Sequence, residues 1–470
     1  MERWVKRIVE RERRRHGYVE AKKIGSNYYL YRASSVYDPR KRRARKVSGE
    51  YMGKITPHGL EKKRVGAAQV RSIFEYANAR LLYDLCRDVI IPQLKRVFPY
   101  EWKELLAMAL VRAIRPVPIK YLASSWEKLY LSTEIDCALS PNTLSDRLCS
   151  VGSDWSSQRE FFSSLMKKKG VLIFDLSSIF SHSHNIRIAE KGYNKEHLQM
   201  KQINFAMLFS STDEIPLMLK PIPGSVRDVK AFHHALREFE MKDGCILVLD
   251  RGLFSKDNLD YMLANGLSFV QPLRRDVKVI DYGLKPGAGF TYRGRGIKWI
   301  RRKVRGTDIF LYVFEDVKMR GEEESNLIEL VSKGEIKDYD ESRLGKIGVL
   351  SDIRGNGSRI YGLLKQREDV EQGFDAMKNE LENDKAYLQS DEAMRGYFFV
   401  SFIALYLYYR VLSILKRKNL ADKFSVNEVL FQLSKVYLVR YSDSTKRLSE
   451  IPKIVEDLVS GMDVDIWPKN

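Results

Sequence analysis

Apolar residues recur at every third or fourth position through much of residues 62–165, and this spacing predicts a helical region. The segments RSIFEYANARLLYDLC and WKELLAMALVRAI both carry it, and Ser140 followed by Pro141 predicts the start of another helix. These short helices could form a helix-turn-helix or could pack without contacting DNA, and the pattern does not choose between the two.

The first sixty residues have a different pattern, in which basic and aromatic patches alternate. Strands are predicted over 27–32 and 46–55, with a turn at Asp38-Pro39 between them. Residues 1–60 therefore read as a small basic β module.

Residues 166–275 alternate short apolar runs with helical segments, which is typical of an α/β sheet. The pattern predicts strands over 171–174, 203–209, 215–220, 245–249 and 267–271, and helices over 226–240 and 255–264. Two of these strands, VLIF and CILVL, are apolar throughout, as buried strands are, and each is expected to end at an aspartate.

Residues 276–350 are β-patterned, and the rest of the chain is predicted to be helical. Strands are expected over 290–293, 297–304 and 309–315, with a turn at Gly294-Arg295-Gly296, and helices over 359–384, 396–415 and 425–460. Arg395 and Arg410 bracket only 14 residues of the most apolar run, whereas a membrane span needs about 20. A buried helix is therefore predicted here, and no contact with a membrane.

The charge of the chain is concentrated in two segments. The formal net charge is +20, residues 1–50 hold 16 Lys and Arg against 6 Asp and Glu, and residues 274–305 hold 11 against 2. The remainder is almost neutral. Two local basic patches of this kind indicate a polyanionic partner such as nucleic acid.

The aspartates that follow the two apolar strands are the first candidates for chemistry. Asp175 follows VLIF and Asp250 follows LVL, so both are expected at one edge of the sheet. Each could simply cap the next turn. Two convergent carboxylates, however, repel each other unless a cation lies between them, which favours a metal site.

A third acid is offered by the predicted helix 359–384. Arg367, Glu371 and Lys378 are spaced i, i+4 and i+11, which places them on one helical face. An ordinary solvated stripe with i, i+4 pairing is the alternative, although the order Arg before Glu is the less favoured one for such a pair.

Together these motifs resemble the DDE transposases of insertion sequences, in the group called insertion sequence four and its close relatives. The final motif of that family is Tyr-x2-Arg-x3-Glu-x6-Lys, and Arg367, Glu371 and Lys378 match its spacing. The Tyr position is Leu364, with Tyr361 one turn earlier. The segments FDLSSIF, GYNKEHLQMKQINFAMLFSSTDEIPLMLKPIPGSVRDV and LVLDRGLFS follow the family order around the two aspartates, and the resemblance covers about residues 170–415.

The resemblance implies an RNase H-like mixed sheet with a β-rich insertion between the second Asp and the Glu. It implies that Asp175, Asp250 and Glu371 are catalytic and hold two Mg²⁺ ions, with Mn²⁺ as a substitute, and that Arg367 and Lys378 meet phosphates. Water would first free a 3′-OH, which would then attack target DNA. Asp228 is equally compatible with a place near the site and with a helix-start acid.

The implied partners are double-stranded DNA, in the form of the terminal inverted repeats of the element and its target, and a second copy of the chain in a synaptic dimer. The basic patches predict further contacts with DNA phosphates, from Arg42, Arg43, Arg45, Arg293, Arg295, Lys298, Arg301, Arg302 and Lys303. For the second patch, an edge strand protected from aggregation by its charges is the alternative.

The sequence thus predicts a transposase with six regions: 1–60, a basic β module; 61–165, helical; 166–275, the first part of the core; 276–350, the insertion; 351–415, the Glu helix and core helix; and 416–470, a helical tail. Two other functions stay open, a metal-dependent nuclease without strand transfer and a DNA-binding protein with an inactive core. No apolar signal segment is recognised near Met1, so a cytoplasmic, nucleoid-associated protein is expected.

Overall fold

The computed structural model describes most of the chain. The described residues are 1–470 except 39–42, 62–68, 167–168, 182–184, 193–199, 227–231, 233–234, 236–243, 369–370, 372–375, 377–387, 389 and 469–470. The chain divides into two compact units, one of residues 1–72 with 440–446 and one of residues 73–439 with 447–470.

The first unit combines a helix with an antiparallel sheet of order β1-β2-β3-β4. Its elements are α1 (Arg3–His16), β1 (Val19–Ile24), β2 (Asn27–Asp38), β3 (Arg43–Thr56) and β4 (Gly59–Glu61). The two expected strands are present but longer, because their pairing continues to Asp38 opposite Arg43. Helix α1 was not predicted, and it buries Val5, Ile8 and Val9 against the sheet.

The helical region of the second unit lies between two strands and the central sheet. Its helices are α2 (Ala77–Arg87), α3 (Ile90–Val97), α4 (Trp102–Ile114), α5 (Leu122–Trp126), α6 (Pro141–Ser153) and α7 (Trp155–Leu165). The Ser140 hydroxyl accepts a hydrogen bond from the Thr143 amide and caps α6, as its sequence predicts. The expected helix at RSIFE is instead strand β5 (Val70–Glu75), which joins a sheet of order β17-β16-β5.

The central sheet is mixed, and it confirms the expected α/β class with an RNase H-like core. Its core strands are β6 (Val171–Phe180), β7 (Glu190–Lys191), β8 (Lys201–Ser210), β9 (Ile215–Pro223), β10 (Ile246–Leu249) and β11 (Ser268–Pro272), with α8 (Lys256–Ala264) between the last two. Strands β6, β10 and β11 run parallel, whereas β8 pairs antiparallel with both β6 and β9. The expected helix over 226–240 falls largely outside the described residues.

The expected β-rich insertion is an extension of this same sheet. Its elements are β12 (Ala288–Tyr292), β13 (Arg295–Lys303), β14 (Phe310–Asp316), α9 (Val317–Ser332) and β15 (Lys346–Ser351), and the sheet order is β12-β13-β14-β15-β11-β10-β6-β8-β7. Strands β12 and β13 form a hairpin whose two turn residues, Arg293 and Gly294, both have positive φ, of 46° and 77°. The turn lies one residue earlier than its glycines suggest, and α9 was not predicted.

The helix expected over 359–384 is not one continuous element. Helix α10 (Gly357–Lys365) ends before a turn at 366–367, and helical structure resumes at Glu368. Glu371 is helical, whereas Lys378 lies outside the described residues.

The predicted apolar core helix is α11 (Asp391–Arg417). It is long and apolar enough to cross a membrane, with a window of mean hydropathy 1.8, but 78% of that window is buried inside the protein. It packs on α4, α6 and β9. At the crossing with α6, a Cβ on Gly396 would lie 2.1 Å from the Leu148 carbonyl oxygen, so only glycine allows this approach.

The C-terminal region differs from the helical tail predicted for 416–470. Helix α12 (Val426–Leu433) is followed by strands β16 (Tyr437–Tyr441) and β17 (Lys446–Leu448) and then by α13 (Lys453–Met462). The prediction of an uninterrupted helical tail was wrong because YLVRY, whose apolar spacing is compatible with a helix turn, pairs in a sheet with β5 and β17.

Candidate active site

The two aspartates lie on neighbouring strands at the same level of the sheet. Phe174 of β6 is opposite Leu249 of β10 in a parallel register, so the next residues, Asp175 and Asp250, are adjacent. Strand β10 ends at Leu249, but β6 does not end at Asp175 as predicted, because its antiparallel pairing with β8 continues to Phe180. Asp175 therefore lies in mid-strand, where its parallel neighbour stops.

Local hydrogen bonds hold both carboxylates. The Leu176 amide donates to Asp175 Oδ1 at 2.8 Å, and the Gly252 amide donates to Asp250 Oδ2 at 3.1 Å. Asp250 thus also performs the capping role that was the alternative explanation for it. Behind it, the buried Gln271 side chain donates to the Asp250 carbonyl oxygen at 2.9 Å, a contact that no sequence motif indicates.

A single guanidinium contacts all three predicted carboxylates. Arg367 pairs with Asp250 through its NH1 atom, donates from NH2 to Glu371 Oε1 at 2.9 Å, and places Nε 3.8 Å from Asp175 Oδ2. The expected i, i+4 contact between Arg367 and Glu371 is therefore present. Because the same guanidinium also reaches two strands of the sheet, this is not a solvated stripe on an isolated helix.

The four side chains are unequally exposed. Exposure is 14% for Asp175, 25% for Asp250, 58% for Glu371 and 23% for Arg367. Three negative charges thus surround one positive charge in a partly dehydrated setting, where Coulomb interactions exceed those in bulk water. Desolvated carboxylates that outnumber their cationic partner favour an additional cation.

The chemistry of these donors fits a hard divalent cation. Carboxylate oxygens are the ligands that Mg²⁺ and Mn²⁺ prefer. Within the described part of the chain, no three His, Cys, Asp or Glu side chains are close enough together to hold a metal ion. The guanidinium lies between the carboxylates instead, and its buried Nε atom finds no hydrogen-bond partner among the described residues. The donor set fits the ion once Arg367 moves aside.

Tyr361 does not take the place of the tyrosine that the family motif has at Leu364. It is 2% exposed and packs against the rings of Phe290, Tyr292 and Phe314, at centroid distances of 5.2–5.6 Å. Burial raises the pKa of Tyr361 to about 12. Its position joins α10 to strands β12 and β14, so its role in the structure is packing.

The basic side chains of the insertion have acidic partners that the sequence does not reveal. Distances are 2.8 Å for Arg295–Asp316, 2.6 Å for Arg302–Asp281, 2.8 Å for Lys303–Asp308, 2.7 Å for Arg293–Glu368 and 3.6 Å for Lys298–Glu315, and Arg301 donates to the Gly355 carbonyl at 3.0 Å. These partners are remote or unpatterned in sequence. The five paired side chains keep 37–69% exposure, so they can still reach a phosphate.

The other predicted DNA contacts lie in the first unit or outside the described residues. Arg43 is exposed at the start of β3, and Arg45 follows on the same strand. Arg42, Lys378 and Asp228 fall outside the described residues, so their predicted roles stay predictions.

The sequence matches one domain family over much of its length, although no curated protein matches it. A cryo-EM structure of a piggyBac transposase synaptic complex with hairpin DNA is similar over 76% of this chain and 79% of that chain, with 13% identity and a TM-score of 0.42. The profile of the transposase DDE domain matches residues 166–407, just over half of the chain. The chain therefore belongs to the family of transposases with a DDE domain.

Proposed function

We propose that this transposase binds the terminal inverted repeats of its element, cleaves DNA by metal-dependent hydrolysis and joins the resulting 3′-OH ends to target DNA. The observation that carries this proposal is the convergence of Asp175, Asp250 and Glu371 on one guanidinium. The reaction needs carboxylates from separate parts of the chain at one place, and the fold supplies them.

In this proposal Asp175 holds both divalent ions, and Asp250 and Glu371 each complete one ion's ligands. Two bound ions supply Lewis-acid activation of the attacking oxygen and charge stabilisation of the leaving oxygen. Asp250 is well suited to this role because its second oxygen and its carbonyl are already fixed by Gly252 and Gln271. A ligand fixed in advance loses little freedom when it binds.

Arg367 has two successive roles in the proposal. Without metal it neutralises the carboxylates that it contacts. When divalent ions take those oxygens, the guanidinium becomes available to bind a phosphate beside the scissile bond, for which its planar pair of donors is suited. Lys378 is proposed as a second phosphate contact.

Cleavage of DNA from the flanks of the protein's own coding region, with and without Mg²⁺, tests this function. Asp175→Asn, Asp250→Asn and Glu371→Gln should each abolish cleavage, because each removes an anionic metal ligand, while gel-shift binding of the same DNA persists. Asp257→Asn is the matched control, an exposed aspartate of α8 in the same unit. Normal nicking by any of the three site variants contradicts the assignment.

A second assay separates the transposase from the two alternatives that the sequence left open. DNA with a pre-cut 3′-OH end is supplied with target DNA, and the joined product is measured. Joining supports the transposase, cleavage without joining indicates a nuclease, and neither activity indicates an inactive core. The proposed assembly is a homodimer holding two element ends, acting on the nucleoid in the cytoplasm and not at a membrane.

A further inference from the structure

The two faces of the sheet in the first unit differ in what covers them. Alternation along the strands directs Tyr28, Leu30 and Ile55 to one face, where they form a buried cluster with helix α1. The register pairs Tyr28 with Ile55 and Leu30 with Gly53. This cluster accounts for the buried apolar residues among those described in the unit.

The opposite face carries three tyrosines in contact. The ring of Tyr51 lies 5.4 Å from that of Tyr31 and 6.1 Å from that of Tyr29, with interplanar angles of 60° and 53°. A bulge makes this possible, because the pairing passes from Leu30–Gly53 to Tyr31–Tyr51 and omits Met52. Met52 packs with the cluster on the helix side.

Lysines surround these rings. The Lys22 ammonium lies 5.0 Å from the centroid of the Tyr31 ring, and Lys54 is the cross-strand neighbour of Tyr29. Glu20 lies 3.8 Å from Lys22, so the face itself is mixed in charge. The first fifty residues nevertheless carry 16 basic against 6 acidic residues, which attracts a polyanion to this unit.

Packing within the unit does not explain the three rings. None of them belongs to the buried cluster under α1, and each stays partly exposed. Partly exposed aromatic rings on a sheet, with basic side chains beside them, have the chemistry that stacks nucleic-acid bases while cations meet the phosphates. A peptide partner would gain apolar contact from the rings but would not use the positive charge of the unit.

We propose that the face formed by Tyr29, Tyr31 and Tyr51 binds unpaired DNA bases by stacking, with Lys22 and Lys54 contacting the backbone. This inference rests on the proposed function, because strand cleavage at an element end produces DNA whose terminal bases can unpair. It adds a single-strand site that is distinct from the carboxylates and from the basic insertion.

The test measures binding of full-length protein to a thymidine oligonucleotide of about 20 nucleotides, longer than one such site needs. An abasic oligonucleotide of equal length keeps the phosphates and removes the bases. Tyr31→Ala should weaken thymidine binding roughly tenfold, the lower part of the range for losing one stacked base, and should leave abasic binding unchanged. Tyr31→Phe should retain binding, because it keeps the ring. Tyr100→Ala, at a tyrosine that is 81% exposed in the second unit, is the control.

Equal losses on the two oligonucleotides would overturn the proposal, since only backbone contacts would then be involved. Unchanged thymidine binding by Tyr31→Ala would also overturn it and would leave a protein partner as the occupant. The measurement uses no metal, so it does not depend on catalysis. Base-dependent binding without any metal-dependent cleavage would refute the proposed function and leave the stacking site standing.

Discussion

The contact of Arg367 with three carboxylates predicts that this arginine competes with divalent metal. Arg367→Met removes the only cation that contacts all three acids among the described residues, while keeping much of the side chain's length. Without it, Asp175 and Asp250 repel each other across neighbouring strands. We therefore expect the metal-free variant to be less stable than the wild type and to bind Mn²⁺ more tightly.

The size of the effect follows from distance and exposure. Two opposite charges about 4 Å apart interact by about 4 kcal/mol at an effective dielectric constant of 20. The Arg367 Nε atom lies 3.8 Å from Asp175 Oδ2, but both side chains retain some contact with water, at 23% and 14% exposure. Solvent screening reduces the figure to about 2 kcal/mol. This corresponds to an affinity for Mn²⁺ that is about 30-fold higher in the variant.

Titration calorimetry with Mn²⁺ in the absence of DNA measures this affinity, and thermal melts with and without Mn²⁺ measure the accompanying stability. The melting temperature should rise more on adding Mn²⁺ to Arg367→Met than on adding it to the wild type, because binding to the folded state adds stability in proportion to occupancy. Arg96→Met, which removes an exposed partner of Glu160, controls for the removal of a positive charge. An Mn²⁺ affinity equal to or weaker than that of the wild type would refute the competition.

Three further predictions concern packing, pH and salt. Gly396→Ala should lower the free energy of unfolding by about 3 kcal/mol in urea titrations, because its Cβ would meet the Leu148 carbonyl, whereas Gly362→Ala, with no atom within 4 Å, should not destabilise. Burial alone would raise the pKa of Asp316, but hydrogen bonds from Arg295 and from two amides outweigh it and lower that pKa. A lowered folded-state pKa contributes stability above the ordinary value of 3.8 that is lost as the pH falls below it, so Arg295→Gln should destabilise at pH 7 and progressively less in acid; a difference that is constant with pH contradicts this. Neutralising the insertion's lysines and arginines should flatten the slope of DNA affinity against salt by about 0.9 for each phosphate that the protein no longer neutralises, and an unchanged slope would leave only the edge-strand explanation, the substitutions being Lys298→Gln, Arg302→Gln and Lys303→Gln.

The positions of the two aspartates could be predicted because each follows an uninterrupted apolar run. What followed Asp175 could not, because Ser177 and Ser178 break the apolar pattern although β8 keeps pairing with the strand. Pairing between distant segments also explains why YLVRY is a strand. Helix α1 was overlooked since its many charges conceal the spacing of Val5, Ile8 and Val9, which only its burial makes plain.

The candidate site shows the same division. The spacing of Arg367 and Glu371 predicted that the two would be neighbours, and the structure has them in contact. Nothing in the spacing indicates that this guanidinium also reaches the aspartates of two strands, because that depends on where the turn at 366–367 places the chain. Buried Gln271, which holds the Asp250 carbonyl, carries no sequence signal for the same reason.

The continuity of the central sheet has a mechanical consequence. Because β13 is joined to β10 through β14, β15 and β11 by unbroken pairing, the insertion does not hang on a flexible linker. Four strand spacings separate β13 from β10, which is about 19 Å. A phosphate held by β13 would therefore sit at a set distance from Asp250, roughly the length of six base pairs at a rise of 3.4 Å. The sheet would act as a ruler that selects which phosphodiester bond of a bound duplex reaches the carboxylates.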